Sequence, residues 1–159
     1  MDYKTQNTDK EDNINKLSNG KTWNERAEAA IKLGKSKDLK NTDYLLKALK
    51  SEKDEIVINR IIEALGKMKD PKATNPLTDL LKKELQLPEN KQNKSKLFAL
   101  VESLIKIGDK KALEDIGILL ESCSSDLKEL SEKSLECIDP NWKENVKIQS
   151  KLNSIKESK

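Results

Sequence analysis

The string Leu65-Gly66-Lys67-Met68-Lys69-Asp70-Pro71-Lys72-Ala73 has imperfect copies on either side. Upstream it reads Leu33-Gly34-Lys35-Ser36-Lys37-Asp38-Leu39-Lys40-Asn41, and downstream Leu104-Ile105-Lys106-Ile107-Gly108-Asp109-Lys110-Lys111-Ala112. The aspartates at 38, 70 and 109 anchor the copies, and Asp139 in Cys137-Ile138-Asp139-Pro140 stands as a fourth, giving spacings of 32, 39 and 30 residues. A period of that size predicts stacked helix pairs, each unable to bury its apolar face without a neighbour. The composition agrees: 35% apolar, 37% charged and 3% aromatic residues suit narrow helices that each present one stripe. The expected fold is all-α, a right-handed α-solenoid of about four helix pairs with a capping helix at each end.

Residues 1–7 show no apolar periodicity and are expected to form a disordered tail. A short helix over 8–18, capped by Thr8 and stopped by Asn19-Gly20, turns Ile14 and Leu17 inward and stands in for the second helix of an absent repeat. The first helix of each pair carries one stripe at i, i+3, i+4 and i+7: Arg26, Ala29, Ala30, Leu33; Ile58, Ile61, Ile62, Leu65; Leu97, Leu100, Val101, Leu104; Leu127, Leu130, Ser131, Ser134. Gly34 and Gly66 fall near helix ends, where a left-handed residue can close the turn. Each aspartate is expected to cap the second helix or the tight turn before it. The second-helix stripes are Leu45, Ala48, Leu49; Leu77, Leu80, Leu81; and Ile116, Leu119, Leu120. Pro76 requires its helix to begin near Ala73 or Thr74, in whose first turn a proline is tolerated. The polar stretch 86–95, with Pro88, accounts for the longest spacing and reads as an exposed loop insertion. The repeats span 8–142. A last helix from Pro140 carries Trp142, Val146, Leu152 and Ile155, and its 143–159 part is Lys-rich.

Charge and chemistry narrow the function classes. The net charge is +3, but residues 23–139 balance 22 basic against 22 acidic groups, so the excess lies after Asp139. A neutral body weighs against a dedicated phosphate-backbone binder. No apolar run approaches 18 residues and the first sixteen are polar, so neither a membrane span nor a signal peptide is expected. Cys123 and Cys137 read as reduced, buried thiols in a cytoplasmic protein. The chain has no histidine. That removes His-based acid–base catalysis, Ser-His and Cys-His nucleophile pairs and His-ligated metal sites. The glycines are too scattered for a phosphate loop. No catalytic residue, cofactor or metal is expected. Trp23, opening the first helix, is expected to pack on the capping helix. Tyr44 reads as a partner contact or an amphipathic cover.

The repeated strings resemble the HEAT-like repeats of the phycobilisome-lyase type. Arg26-Ala27-Glu28-Ala29-Ala30-Ile31-Lys32-Leu33-Gly34 is similar to the first part of that pattern, and Ala64-Leu65-Gly66 with Asp70-Pro71-Lys72-Ala73 to its junction. Ile107-Gly108-Asp109-Lys110-Lys111-Ala112 is a looser match, and Asp139-Pro140-Asn141-Trp142 resembles a terminal repeat. The chain departs from the pattern in having no arginine at Ile58 or Leu97. The resemblance implies a binding scaffold or adaptor. Its alternative is an accessory subunit of a chromophore lyase or other modifying enzyme, and after that a nucleic-acid-binding protein.

In such stacks the second helices line the concave surface. Their exposed columns are expected at Asp43, Lys47 and Lys50, then Asn75, Asp79 and Lys82, then Glu114, Ile118 and Glu121. This mixed ridge suits a polypeptide partner better than a polyanion. A monomer that binds one protein partner, its identity open, is the expectation.

Overall fold

In the computed structural model, residues 3–122 and 124–144 are described. Helices and short 3₁₀ turns account for nearly all of them, with no strand among the described residues. This agrees with the all-α helical-repeat expectation. The chain divides into two units, residues 1–73 and 74–159.

The N-terminal unit holds α1 (Tyr3–Asn19), α2 (Trp23–Ser36), α3 (Asn41–Ser51) and α4 (Glu55–Met68). Helix α1 begins ahead of the expected Thr8 cap. It turns Leu17 into the core, and Gly20 N–H closes its end on the Lys16 carbonyl at 2.9 Å. A capping box starts α2: Glu25 N–H donates to Thr22 Oγ1 at 3.2 Å, and Thr22 N–H donates to Glu25 Oε2 at 3.1 Å. Asp54 caps α4 by accepting from the N–H groups of Ile56 and Val57. The stripes meet as expected. Ala29, Ala30 and Leu33 of α2 and Ile61, Ile62 and Leu65 of α4 are buried, with Leu45 of α3 beneath them. The α4 stripe differs at its start, where Val57 is fully buried and Ile58 only half-buried.

The C-terminal unit holds α5 (Thr74–Leu85), α6 (Lys94–Ile107), α7 (Leu113–Gly117) and α8 (Ser125–Ile138). A 3₁₀ turn over Pro71–Ala73 precedes α5, so Pro76 sits in the first turn of the helix, where its missing N–H has no intrahelical partner to lose. Leu77, Leu81, Leu97, Leu100, Val101, Leu104 and Ile116 are fully buried. Ser131 and Ser134 complete the α8 stripe as buried residues, and Ser131 Oγ donates to the Ile116 carbonyl at 2.7 Å.

The four aspartates share one local arrangement. The side chains of Asp38, Asp70, Asp109 and Asp139 accept from the N–H two residues on, at 3.0, 3.0, 3.0 and 3.1 Å. Their carbonyls accept from the N–H three residues on, at 2.8, 3.0, 3.0 and 2.9 Å. Each is therefore an Asx turn feeding the next helical segment.

Several expectations are corrected. Gly34 and Gly66 lie inside α2 and α4, and the left-handed residues that end those helices are Lys37 (φ 54°) and Lys69 (φ 56°). Only the third repeat uses a glycine there, Gly108 (φ 73°). The second helix of the third pair is short: α7 stops at Gly117 and passes into a 3₁₀ turn over Ile118–Glu121. Gly is the weakest helix former after Pro, and its place at this junction fits the change of pitch. The insertion is shorter and better tied than expected. A 3₁₀ turn covers Glu89–Lys91, and Asn93 caps α6 by accepting from Lys96 N–H at 3.1 Å. Trp23 is 47% exposed rather than packed, and Cys137 is exposed rather than buried. Trp142 is buried, and its backbone N–H donates to the Asp139 carbonyl at 2.9 Å. Cys123, Val146, Leu152 and Ile155 lie outside the described residues.

Candidate partner-binding face

In the N-terminal unit, α1 packs beside both α2 and α3, as a second helix of a preceding repeat would. Between the C-terminal ends of α1 and α3 runs a groove of about 530 Å³, lined by Leu17, Asn19, Arg26, Lys47, Ser51 and Glu52 among others. Its floor is braced by one ion pair. Arg26 Nε donates to Glu52 Oε2 at 2.7 Å, and Nη2 donates to Oε1 at 3.1 Å. Arg26 Nη1 also donates to the Gly20 carbonyl at 3.0 Å. Glu52 Oε1 accepts from the N–H groups of Lys53 and Asp54 as well, at 2.9 and 3.0 Å.

One guanidinium thus ties the turn after α1 to the turn after α3. The two-pronged geometry is what Arg supplies and Lys does not. Desolvation works to raise the Glu52 pKa, but the Arg26 hydrogen bonds and the two backbone N–H donors outweigh it, and the carboxyl lies below its ordinary value. The Arg26 pKa is raised, chiefly by the hydrogen bond to Glu52.

The expected contact residues of α3 are all at the surface. Asp43, Lys47 and Lys50 are exposed, and Tyr44 joins them at 43% exposure. Asp43 faces Lys72 at 3.8 Å, with both side chains largely in solvent, a pairing of little energetic weight. Lys47 also lines the groove. Neither Lys47 nor Lys50 has an ion-pair partner among the described residues.

In the C-terminal unit the expected column is only partly open. Asn75, Asp79 and Lys82 are exposed on α5. Lys82 is also structural, since its Nζ lies 3.0 Å from Oδ2 of Asp115, a buried residue of α7. Glu114, Ile118 and Glu121 are half-buried, Glu114 within α7 and the other two in the 3₁₀ turn into which α7 tightens. Ile118 is therefore not the bare apolar residue that the column alignment implies. Exposed Asp79 and half-buried Glu114 and Glu121 make this column more acidic than that of α3.

The Arg26–Glu52 brace is absent from the sequence expectations. A faint signal exists in the Arg that opens the first stripe, since a charged residue at a core-facing position calls for a buried partner. Nothing in the sequence names Glu52 as that partner. Among the described residues, no three His, Cys, Asp or Glu side chains are grouped to hold a metal ion. No described helix is long and apolar enough to cross a membrane.

Comparison with known families adds to this picture. Residues 11–88, from within α1 to just beyond α5, match the family described as HEAT repeats. The match supports a HEAT-like repeat protein. Comparison with curated proteins gives no significant match.

Proposed function

We propose that this chain is a non-catalytic protein-binding scaffold that holds its partner on the exposed positions of its second helices. HEAT repeats commonly serve as protein-interaction scaffolds, and stacked helix pairs offer long binding surfaces built from equivalent positions. The observation that carries the reading is on α3. Asp43, Tyr44, Lys47 and Lys50 form a mixed, exposed face beside a groove whose floor is fixed by the Arg26–Glu52 pair. A half-exposed tyrosine among charges is the composition of a protein-contact surface, since Tyr adds apolar area at low entropic cost and keeps a polar tip.

In the C-terminal unit the proposed contacts are Asn75 and Asp79, with Glu114, Ile118 and Glu121 contributing their exposed edges. Lys82 serves mainly to hold Asp115. The working form is taken to be a cytoplasmic monomer, and the narrower likeness to phycobilisome-lyase repeats rests on the Arg26–Gly34 and Asp70–Ala73 strings.

The test is affinity capture from the native cell with the intact chain as bait, against the Tyr44→Ala/Lys47→Glu double variant. Partners should be captured by the parent chain and lost by the variant, with helical content unchanged. Capture of the same partners by both would move the contact surface off α3. Catalytic turnover or a bound chromophore in the purified chain would overturn the scaffold reading itself.

A further inference from the structure

We infer that the groove between α1 and α3 is a docking site for an acidic peptide segment, with Lys47 and Lys50 reaching its carboxylates. This deepens the scaffold reading and rests on it.

Cations outnumber carboxylates around the groove, and Glu25 and Asp54, the nearby acids that act on Arg26, are engaged by backbone N–H groups. The groove's lining holds Arg26, Lys47 and Glu52 as charged groups, and Glu52 is already neutralised by Arg26. Outside it, Lys21 follows the end of α1, Lys50 stands in the last turn of α3, and Lys53 occupies the turn to α4; all three are exposed. None of Lys21, Lys47, Lys50 and Lys53 has an ion-pair partner among the described residues. Three exposed lysines elsewhere are paired along their own helices, Lys16 with Asp12, Lys106 with Glu102 and Lys133 with Glu129. Around this one concavity, cations gather and the only lining carboxylate is spent.

The volume suits a few peptide residues, being within the usual range of ligand clefts, roughly 300–1,000 Å³. The floor is amphipathic. Leu17 and Ala48 supply apolar surface, and Ser18, Asn19 and Ser51 supply polar groups for a backbone.

The same geometry favours a peptide over a nucleic acid. The carbonyl ends of α1 and α3 converge on the groove with their partial negative charge. A continuous phosphate chain laid along that floor meets repulsion. A peptide places isolated carboxylates at the lysine rim and neutral backbone at the floor.

The probe is a short fluorescein-labelled Glu-rich peptide, followed by fluorescence anisotropy with the full chain at low and at physiological salt. Its Gln-for-Glu counterpart, a Lys-rich counterpart and a single-stranded oligonucleotide of similar length are the competitors. The Glu-rich peptide should bind best and lose affinity with salt. Lys47→Glu/Lys50→Glu should weaken it about tenfold, while Lys47→Gln/Lys50→Gln weakens it less. Lys32→Glu/Lys35→Glu, on α2 of the same unit, makes the same change in net charge away from the lining and should leave binding within about twofold.

Equal loss in the two charge-reversed doubles would show mere net-charge attraction and overturn the inference. So would binding of the Gln counterpart as tight as that of the Glu peptide, or preferred binding of the oligonucleotide. If cellular partners depend on Tyr44 and Lys47 while the Glu-rich peptide fails to bind, the scaffold reading stands and the acidic-peptide assignment falls. If the α3 variant also keeps its partners, both fall for this face.

Discussion

A Cβ placed on Gly34 would stand 2.7 Å from the Cβ of Ala64 and 2.8 Å from its Cα. Helices α2 and α4 therefore approach backbone to side chain at this point, and the glycine serves contact rather than turning.

The first prediction concerns that contact. In an isolated helix Gly→Ala is stabilising by up to about 1 kcal/mol. Here the added methyl meets backbone and Cβ atoms that no rotamer change can move. Gly34→Ala is expected to destabilise by about 1–3 kcal/mol, the cost of overpacking a close interface. Ala64→Gly in the same chain should recover only part of the loss, because the Cα of residue 64 remains in place. Denaturant midpoints for the two singles and the double would measure the coupling. A Gly34→Ala variant at least as stable as the parent chain would contradict the close approach.

The second prediction uses the three left-handed helix ends as a series. Lys37 and Lys69 hold φ values of 54° and 56°, where an L side chain crowds its own carbonyl, and Gly108 holds 73° without that crowding. Lys37→Gly and Lys69→Gly are each expected to stabilise by about 0.5–1 kcal/mol, the relief of strain exceeding the extra unfolded-state entropy of glycine. Gly108→Ala should cost about 1 kcal/mol. Urea midpoints moving the same way at all three sites would contradict the shared geometry.

These two cases show where the sequence is legible and where it is not. The aspartates could be read in advance because a short carboxylate before a helical stripe has few other local uses, and all four make the same turn. The stripes of Ile61, Ile62 and Leu65 and of Leu97, Leu100 and Leu104 followed from period alone. Gly34 did not, because a glycine needed for close approach looks the same in sequence as one needed for positive φ. Trp23 was misplaced because apolar character says nothing about which side of a helix's first turn faces a neighbour.

The proposed contact face is legible to the extent that the helix stays regular. Asp43, Lys47 and Lys50 come out exposed on α3, as do Asn75 and Asp79 on α5. Ile118 and its neighbours do not, because α7 ends at Gly117 and the tighter turn that follows rotates each residue relative to an α-helical count. Pairs such as Arg26–Glu52 and Lys82–Asp115 join residues far apart in sequence, and no local pattern reports them.

A third prediction follows from the insertion. A free surface loop would tolerate Asn93→Ala within about 0.5 kcal/mol. Asn93 instead caps α6 with its side chain, and its own N–H donates to Glu84 Oε1 at 2.5 Å. Glu84 in turn holds Lys96 at 3.1 Å in a largely buried pair. Asn93→Ala is expected to cost about 0.5–2 kcal/mol, the range for loss of a helix cap. Gln86→Ala, at an exposed position with no side-chain bond shown, should stay within about 0.5 kcal/mol. Leu104→Ala, emptying a fully buried site, should cost about 2–5 kcal/mol. Chemical denaturation should rank the losses Gln86→Ala, Asn93→Ala, Leu104→Ala from smallest to largest, and an Asn93→Ala midpoint equal to that of the parent chain would return the segment to an untethered loop.

The last prediction is the pH profile. The carboxyls of Glu25, Asp38, Glu52 and Asp139 all lie below their ordinary values. For Asp38 and Asp139 the leading causes are hydrogen bonds from Lys10 and Lys110, and for Glu25 it is the backbone N–H of Thr22. A group whose pKa is lower folded than unfolded binds protons more readily when unfolded. Its stabilisation is complete above the unfolded value, about 4 for these side chains, and is lost as the pH falls through the lower folded value. With no histidine in the chain, no side chain of ordinary pKa titrates between about pH 5.5 and 7. The melting temperature should be flat across that interval and fall below about pH 4.5. Glu52→Gln removes the charge that Arg26 holds, so it should melt lower than the parent chain at pH 7 and approach it as the pH drops toward 3. Melting curves at fixed ionic strength would show this convergence. A gap between parent and Glu52→Gln that stays constant into acid would mean that the carboxylate charge at Glu52 contributes nothing to the brace beneath the groove.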